Sequence, residues 1–118
     1  MDDLATRAAV AERAARAGGD LALSRFRDDI AVETKDGKTD VVTQADRDAQ
    51  NRAIEVIREQ FPSDAIVGEE EDALKEVPAE GPAWVIDPID GTSNFVRDVP
   101  IWASSVAATI DGEPVAAT

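Results

Sequence analysis

The stretch Ala83-Trp84-Val85-Ile86-Asp87-Pro88-Ile89-Asp90-Gly91-Thr92-Ser93-Asn94-Phe95 runs from apolar residues into two aspartates, a glycine and a hydroxyl. Trp84, Val85 and Ile86 have the bulk and β-branching of a buried strand. Pro88 has no backbone donor, so the strand is expected to end there in a tight turn. In such a turn Asp87, the carbonyl of Ile89 and Asp90 converge. These are hard oxygen donors, the set that suits a divalent cation such as magnesium. Gly91 allows close backbone approach to an anion, and the N–H groups of Gly91 and Thr92 suit a phosphate at a helix start or nest. A metal beside a phosphate cradle points to phosphoryl chemistry. Asp-Pro and Asp-Gly are also ordinary turn dipeptides, so plain solvation of a turn stays open.

Two segments upstream bear on that choice. Ile66-Val67-Gly68 reads as a short strand end, followed at once by Glu69, Glu70 and Glu71. Open sheets present ligands at strand exits, and neighbouring exits would bring Glu69 towards Asp87 and make room for two metals. A solvated acidic face is the alternative. Further upstream, Thr43 fits a helix N-cap with Asp46 in the acidic position of a capping-box-like pattern. That structural task could account for Asp46 entirely. The functional one would have Asp46 orient a water together with the Thr92 hydroxyl.

Taken together, Asp40-Val-Val-Thr43-Gln-Ala-Asp46, Gly68-Glu69-Glu70 and Trp84 through Phe95 resemble the inositol monophosphatase family, in the family's order and at about its spacing. The resemblance runs over essentially the whole chain. It implies a magnesium-dependent phosphomonoesterase of the kind that includes inositol monophosphatases and archaeal-type fructose-1,6-bisphosphatases, with two or three Mg2+ ions. By position it implies Glu69, Asp87, Asp90 and the Ile89 carbonyl as metal ligands, with Glu70 secondary. Gly91 and Thr92 would hold phosphate. Asp46, Glu69 and Thr92 would form the catalytic set, in which metal-bound water attacks phosphorus in line. Lys35 sits where the family has a loop flanking the active site. The implied substrate is a small phosphorylated polyol or sugar, and the implied assembly allows a homodimer. Family members are more than twice this length. Their second half supplies a further metal-binding aspartate and most substrate contacts, so residues 1–118 are expected to be the N-terminal metal- and phosphate-binding part, with the substrate-binding half absent. A fragment or a truncated product would both fit. The alternative is a non-catalytic acidic metal-binding or interaction domain.

Composition narrows the chemistry. The chain contains neither histidine nor cysteine, which excludes a histidine base, a thiolate nucleophile and disulfides within it. Asp and Glu number 25 against 12 Lys and Arg, for a formal charge of −13. That balance disfavours nucleic acid and anionic membranes as partners. It would also repel a phosphate ester unless metals invert the local potential. The acids are dispersed along the chain, which suggests a halophile's surface. No apolar stretch is long enough to span a bilayer and the N-terminus lacks a signal-peptide pattern, so a cytoplasmic protein is expected.

The expected architecture is α+β, two N-terminal helices packed on a largely antiparallel sheet; the resemblance makes this the N-terminal part of the layered sugar-phosphatase fold. Leu4, Ala8, Ala11 and Ala15 recur at helical spacing, and the stripe continues through Ala22 to Phe26. Gly18-Gly19 interrupts it, which predicts either a bend or close helix packing. A short strand over 30–34 and a turn over 35–38 follow. A second helix is expected over 44–60, with Ala45, Ala49, Ala53, Val56 and Ile57 buried and Phe61-Pro62 as its stop. Residues 72–82 read as a polar loop. A strand over 102–110, a two-residue Asp111-Gly112 turn and a partner strand complete the chain, with Trp102 expected in the core.

Overall fold

In the computed structural model the described residues are 3–26, 35–68, 74–90 and 102–118. They form α1 (Asp3–Arg25), α2 (Lys35–Gln60), β1 (Ala65–Val67), β2 (Pro82–Asp90), β3 (Ala103–Ile110) and β4 (Glu113–Ala117). The strands make one sheet in the order β1-β2-β3-β4. β1 runs parallel to β2, and the other two pairings are antiparallel. This is the expected α+β arrangement of two helices on a largely antiparallel sheet.

Both helices cover one sheet face. Alternate residues of β2 and β3, Trp84 and Ile86 beside Val106 and Ala108, meet Val10, Ala11 and Ala14 of α1 and Ala53, Val56 and Ile57 of α2. The period of two along the strands and of 3.6 along the helices produces this interface. The α2 face is as expected: Ala45, Ala49, Ala53, Val56 and Ile57 are all buried.

The α1 face differs from its apolar stripe. Leu4 is 55% exposed and Ala8 is exposed, whereas Arg7, Val10, Ala11, Ala14, Ala15, Gly18 and Ala22 are buried. The buried face begins at a charged residue, which a count of apolar positions passes over. Arg7 donates to Asp64 Oδ2 at 2.8 Å, and Trp84 Nε1 donates to the same oxygen at 2.9 Å. The guanidinium also lies 4.2 Å from the centroid of the Phe61 ring, which tilts against Trp84 at 5.6 Å. Each polar group in this knot therefore has a partner, as burial demands. α1 passes unbroken through Gly18-Gly19, and the close packing is at Gly18. A Cβ on Gly18 would sit 3.0 Å from the carbonyl oxygen of Ala49 in α2.

Two other expectations are corrected. Residues 35–38 open α2 and do not form a turn, and Thr43 lies inside that helix instead of capping it. The apolar positions read from the sequence as marking α2 begin at Ala45, and a helix extends at little cost per residue once nucleated. The strand expected over 30–34 lies outside the described residues. At the far end, Asp111 and Gly112 have φ of 52° and 81°, and Ile110 pairs with Glu113. Two consecutive positive φ values identify the tight hairpin that this dipeptide favours.

Candidate functional site

β2 runs through Pro88 to Asp90, and this corrects the expectation that the proline ends it. Asp87 pairs with Ser105, but Asp90 pairs with Ala103, so β2 holds one more residue than β3 across this interval. The break is a β-bulge. Pro88 is tolerated because a bulge leaves ladder positions unpaired. The extra residue also resets the phase. Positions three apart in a regular strand fall on opposite sides, but the register partners here, Ser105 and Ala103, are two apart and share a side of β3.

Ile89, inside the bulge, is 3% exposed and clusters with Ala22 of α1 and with Ala45 and Ala49 of α2. Phe26 and Trp102 pack against this group with ring centroids 5.7 Å apart. Trp102 thus closes a second, smaller core, in keeping with its expected packing role. With its side chain buried, Ile89 has only its backbone to offer a ligand. Asp46 follows Ala45 in α2 and is half-buried. Because Thr43 is no helix start, the capping explanation for Asp46 does not apply.

The third component is the exit of β1. Val67 pairs with Val85 in parallel register, so β1 leaves the sheet beside the segment that leads into Asp87. Gly68 there is buried, and its carbonyl accepts from Lys75 Nζ at 3.4 Å. Leu74 adds a parallel bridge to Val67, giving part of the expected polar loop a place on the sheet. Lys75 brings a positive charge to an acidic strand exit, a placement that no spacing rule in the sequence could have indicated.

The structure therefore brings the β1 exit, half-buried Asp87, buried Ile89 and the backbone of Asp90 to one end of the sheet, with Asp46 on the helix packed there. Lys35 is the first residue of α2. Glu69, Glu70, Gly91 and Thr92, and the side chain of Asp90, lie outside the described residues. Among the described residues alone, no three carboxylates gather as a metal site. The donor chemistry fits a hard divalent cation: carboxylates and a backbone carbonyl with no nitrogen or sulfur ligand.

Two features near this end escaped sequence reading. Gln50 is fully buried in α2. Arg25, in the last turn of α1, donates to Asp48 Oδ2 at 2.8 Å, while Gln44 Nε2 donates to Asp48 Oδ1 at 2.8 Å. Burial alone would raise the pKa of Asp48. The hydrogen bonds from Arg25 and Gln44 and the charges of Arg25 and Arg47 outweigh it and hold the carboxyl below its ordinary value.

Comparison with known proteins agrees with this geometry. The chain is 42% identical over 107 residues to Nus factor SuhB of Pseudomonas aeruginosa, covering 87% of this chain and 39% of that protein. It is 34% identical over 99 residues to human Inositol monophosphatase 1, covering 82% and 36%. The fold superposes on inositol monophosphatase from Anabaena with a TM-score of 0.74 at 28% identity, over 95% of this chain and 38% of that one. A staphylococcal inositol monophosphatase solved with inositol monophosphate bound gives 0.69 at 26% identity, over 90% and 36%. The chain thus spans about two fifths of the length of these relatives. Residues 3–118 match the model of the inositol monophosphatase family, and the chain belongs to that family.

Proposed function

We propose that this chain supplies the metal- and phosphate-binding part of a magnesium-dependent phosphomonoesterase acting on a small sugar or inositol phosphate. The observation that carries the reading is the bulge at Asp87–Asp90, set beside the parallel exit of β1. Glu69, Asp87, Asp90 and the Ile89 carbonyl would hold the metals. When bound, magnesium ions activate water and neutralise charge on phosphoryl oxygens. Gly91 and Thr92 would offer backbone N–H groups to the phosphate, and Asp46 with the Thr92 hydroxyl would orient the water. No histidine is required, which agrees with a chain that has none. The inositol monophosphate bound to the staphylococcal relative supports the substrate class.

Thermal melts with and without MgCl2 test the reading. Magnesium is expected to raise the melting temperature, because a ligand that binds only the folded state stabilises it by mass action. Asp90→Asn should shrink that rise while leaving the magnesium-free melt nearly unchanged. Equal magnesium responses in the two proteins would sink the reading. The dispersed acids fit a salt-adapted surface, which a melting temperature rising with KCl in the absence of magnesium would support.

A second reading has support of its own. The SuhB relative, named as a Nus factor, is more similar to this chain than the human phosphatase is, at 42% against 34% identity. An interaction role without catalysis would leave magnesium binding intact. Phosphate release from inositol monophosphate by this chain joined to the second half of a relative would exclude it as the sole function.

A further inference from the structure

α1 carries none of the candidate ligands, yet it borders the bulge that carries them. Ile89 sits among Ala22, Ala45 and Ala49, side chains too short to reach across a wider gap between α1 and α2. The helices approach closely at Gly18, where a Cβ would stand 3.0 Å from the Ala49 carbonyl oxygen and 3.6 Å from Ala53 Cβ. The first of these neighbours is backbone, so it can yield only if the helices move apart. Ala49 is at once the floor of the Gly18 crossing and a wall of the Ile89 site. Ala45, another wall, adjoins Asp46.

We infer that Gly18 and Ile89 are positioning residues. The close crossing at Gly18 fixes the socket of Ala22, Ala45 and Ala49, and the Ile89 side chain seated there sets the Asp87–Asp90 bulge relative to Asp46. The inference rests on the phosphatase reading for its purpose, but its geometry stands without a metal. Outer-shell groups that orient metal ligands are a known lever on affinity, and the lever here is apolar packing.

Adjacent glycines supply a matched test. At Gly19 the Cβ of an alanine would meet only the Ser104 side chain, Cβ at 3.4 Å and Oγ at 4.0 Å, which are ordinary contacts. Gly18→Ala and Gly19→Ala gain the same helix propensity, so a difference between them reports the crossing. Without metal, NMR of Gly18→Ala should show shifted amides at Asp87, Ile89 and Ser105, whereas Gly19→Ala should leave them in place. With MgCl2, the concentration giving half the thermal stabilisation should rise about tenfold in Gly18→Ala and stay within about twofold in Gly19→Ala. Should Gly18→Ala fail to fold, Ile89→Val against Ile57→Val gives the same comparison, since each trims one methyl from a buried isoleucine. Changes confined to the helices, or equal magnesium responses within a pair, would overturn the proposal. A wild-type chain indifferent to magnesium would instead defeat the phosphatase reading, and the metal-free spectra would still decide this one.

Discussion

At its start, β2 is held by large side chains and paired charges. Trp84 is fully buried, its Nε1 shares Asp64 with Arg7, and Phe61 closes the group from the end of α2. The hairpin turn grips the same end: Gly81 N donates to Asp111 Oδ1 at 2.7 Å, and Asp111 N donates to the Gly81 carbonyl at 2.9 Å. At its finish, the strand is held by alanines and one isoleucine around a bulge bearing two aspartates. One strand thus joins an anchor whose polar groups satisfy each other to a bulge that we propose as part of a cation site. The contrast teaches that burial of charge is tolerated where a counter-charge is built in. At the bulge the protein instead supplies an apolar seat, in which Ile89 packs among Ala22, Ala45 and Ala49.

The comparison breaks most sharply if the anchor is opened. Asp64→Ala leaves the Arg7 guanidinium buried without its carboxylate and the Trp84 indole N–H without its acceptor. Removing one member of a buried ion pair costs about 3–5 kcal/mol. For a domain of this size that is a fall of roughly 12–40 °C in melting temperature, at about 4–8 °C per kcal/mol. Differential scanning calorimetry would measure it. Provided the variant is melted from a folded baseline, the magnesium-dependent increment should persist, because the anchor holds none of the candidate ligands. A lost increment in a folded variant would show that the two ends are not separable.

A smaller effect is expected at the hairpin that grips the same end. Gly112 has φ of 81°, where a Cβ meets the following carbonyl, so Gly112→Ala should cost about 1–2 kcal/mol. Gly81, at φ 83°, offers a parallel test on the other side of the clamp. Urea titration should show the lower midpoint with an unchanged slope, and magnesium half-saturation should stay as in the wild type. A magnesium effect from either glycine would place the hairpin within the site's supporting structure.

The two ends also differed in how far the sequence disclosed them. The apolar run ending in Asp87, the α2 face and the Asp111-Gly112 turn were legible because each follows a short local rule of period or φ sign. The bulge was not: Pro88 rules out a regular ladder there, but whether the strand stops or absorbs an extra residue depends on β3, which begins at Ala103. The Arg7 anchor was hidden because its members come from α1, the turn after α2 and β2, and one arginine among four in an alanine-rich helix reads as solvated. The start of α2 was misplaced because a nucleated helix can extend past the positions that an apolar period marks. The seating of Ile89 by α1 is likewise a tertiary fact, visible only once Gly18 and Ala49 are seen to touch.

The finest test of the contrast lies between the two extremes, in the half-exposed pair of Arg25 and Asp48 that ties the end of α1 to α2 near the site. Asp48 is stabilised as the anion, with its pKa held below the ordinary value of 3.8 by Arg25 and Gln44 despite the opposing effect of burial. A carboxyl whose folded pKa is depressed adds stability that is fully present above its unfolded value and lost as pH falls through the folded one. The pair should therefore contribute at neutral pH and fade below about pH 3.8. Solvent reaches both side chains, so Asp48→Asn should cost only about 0.5 kcal/mol at pH 7, less still in high salt. Urea midpoints of the two proteins, compared at pH 7 and at the lowest pH where both fold, should converge on acidification. A gap that stays constant with pH would mean that Asp48 acts by hydrogen-bond geometry, which asparagine disturbs, and not by its charge. In that case the end of α1 would be joined to α2 as Ile89 is seated, by shape, and the division between charged and apolar fastening would have to be drawn elsewhere.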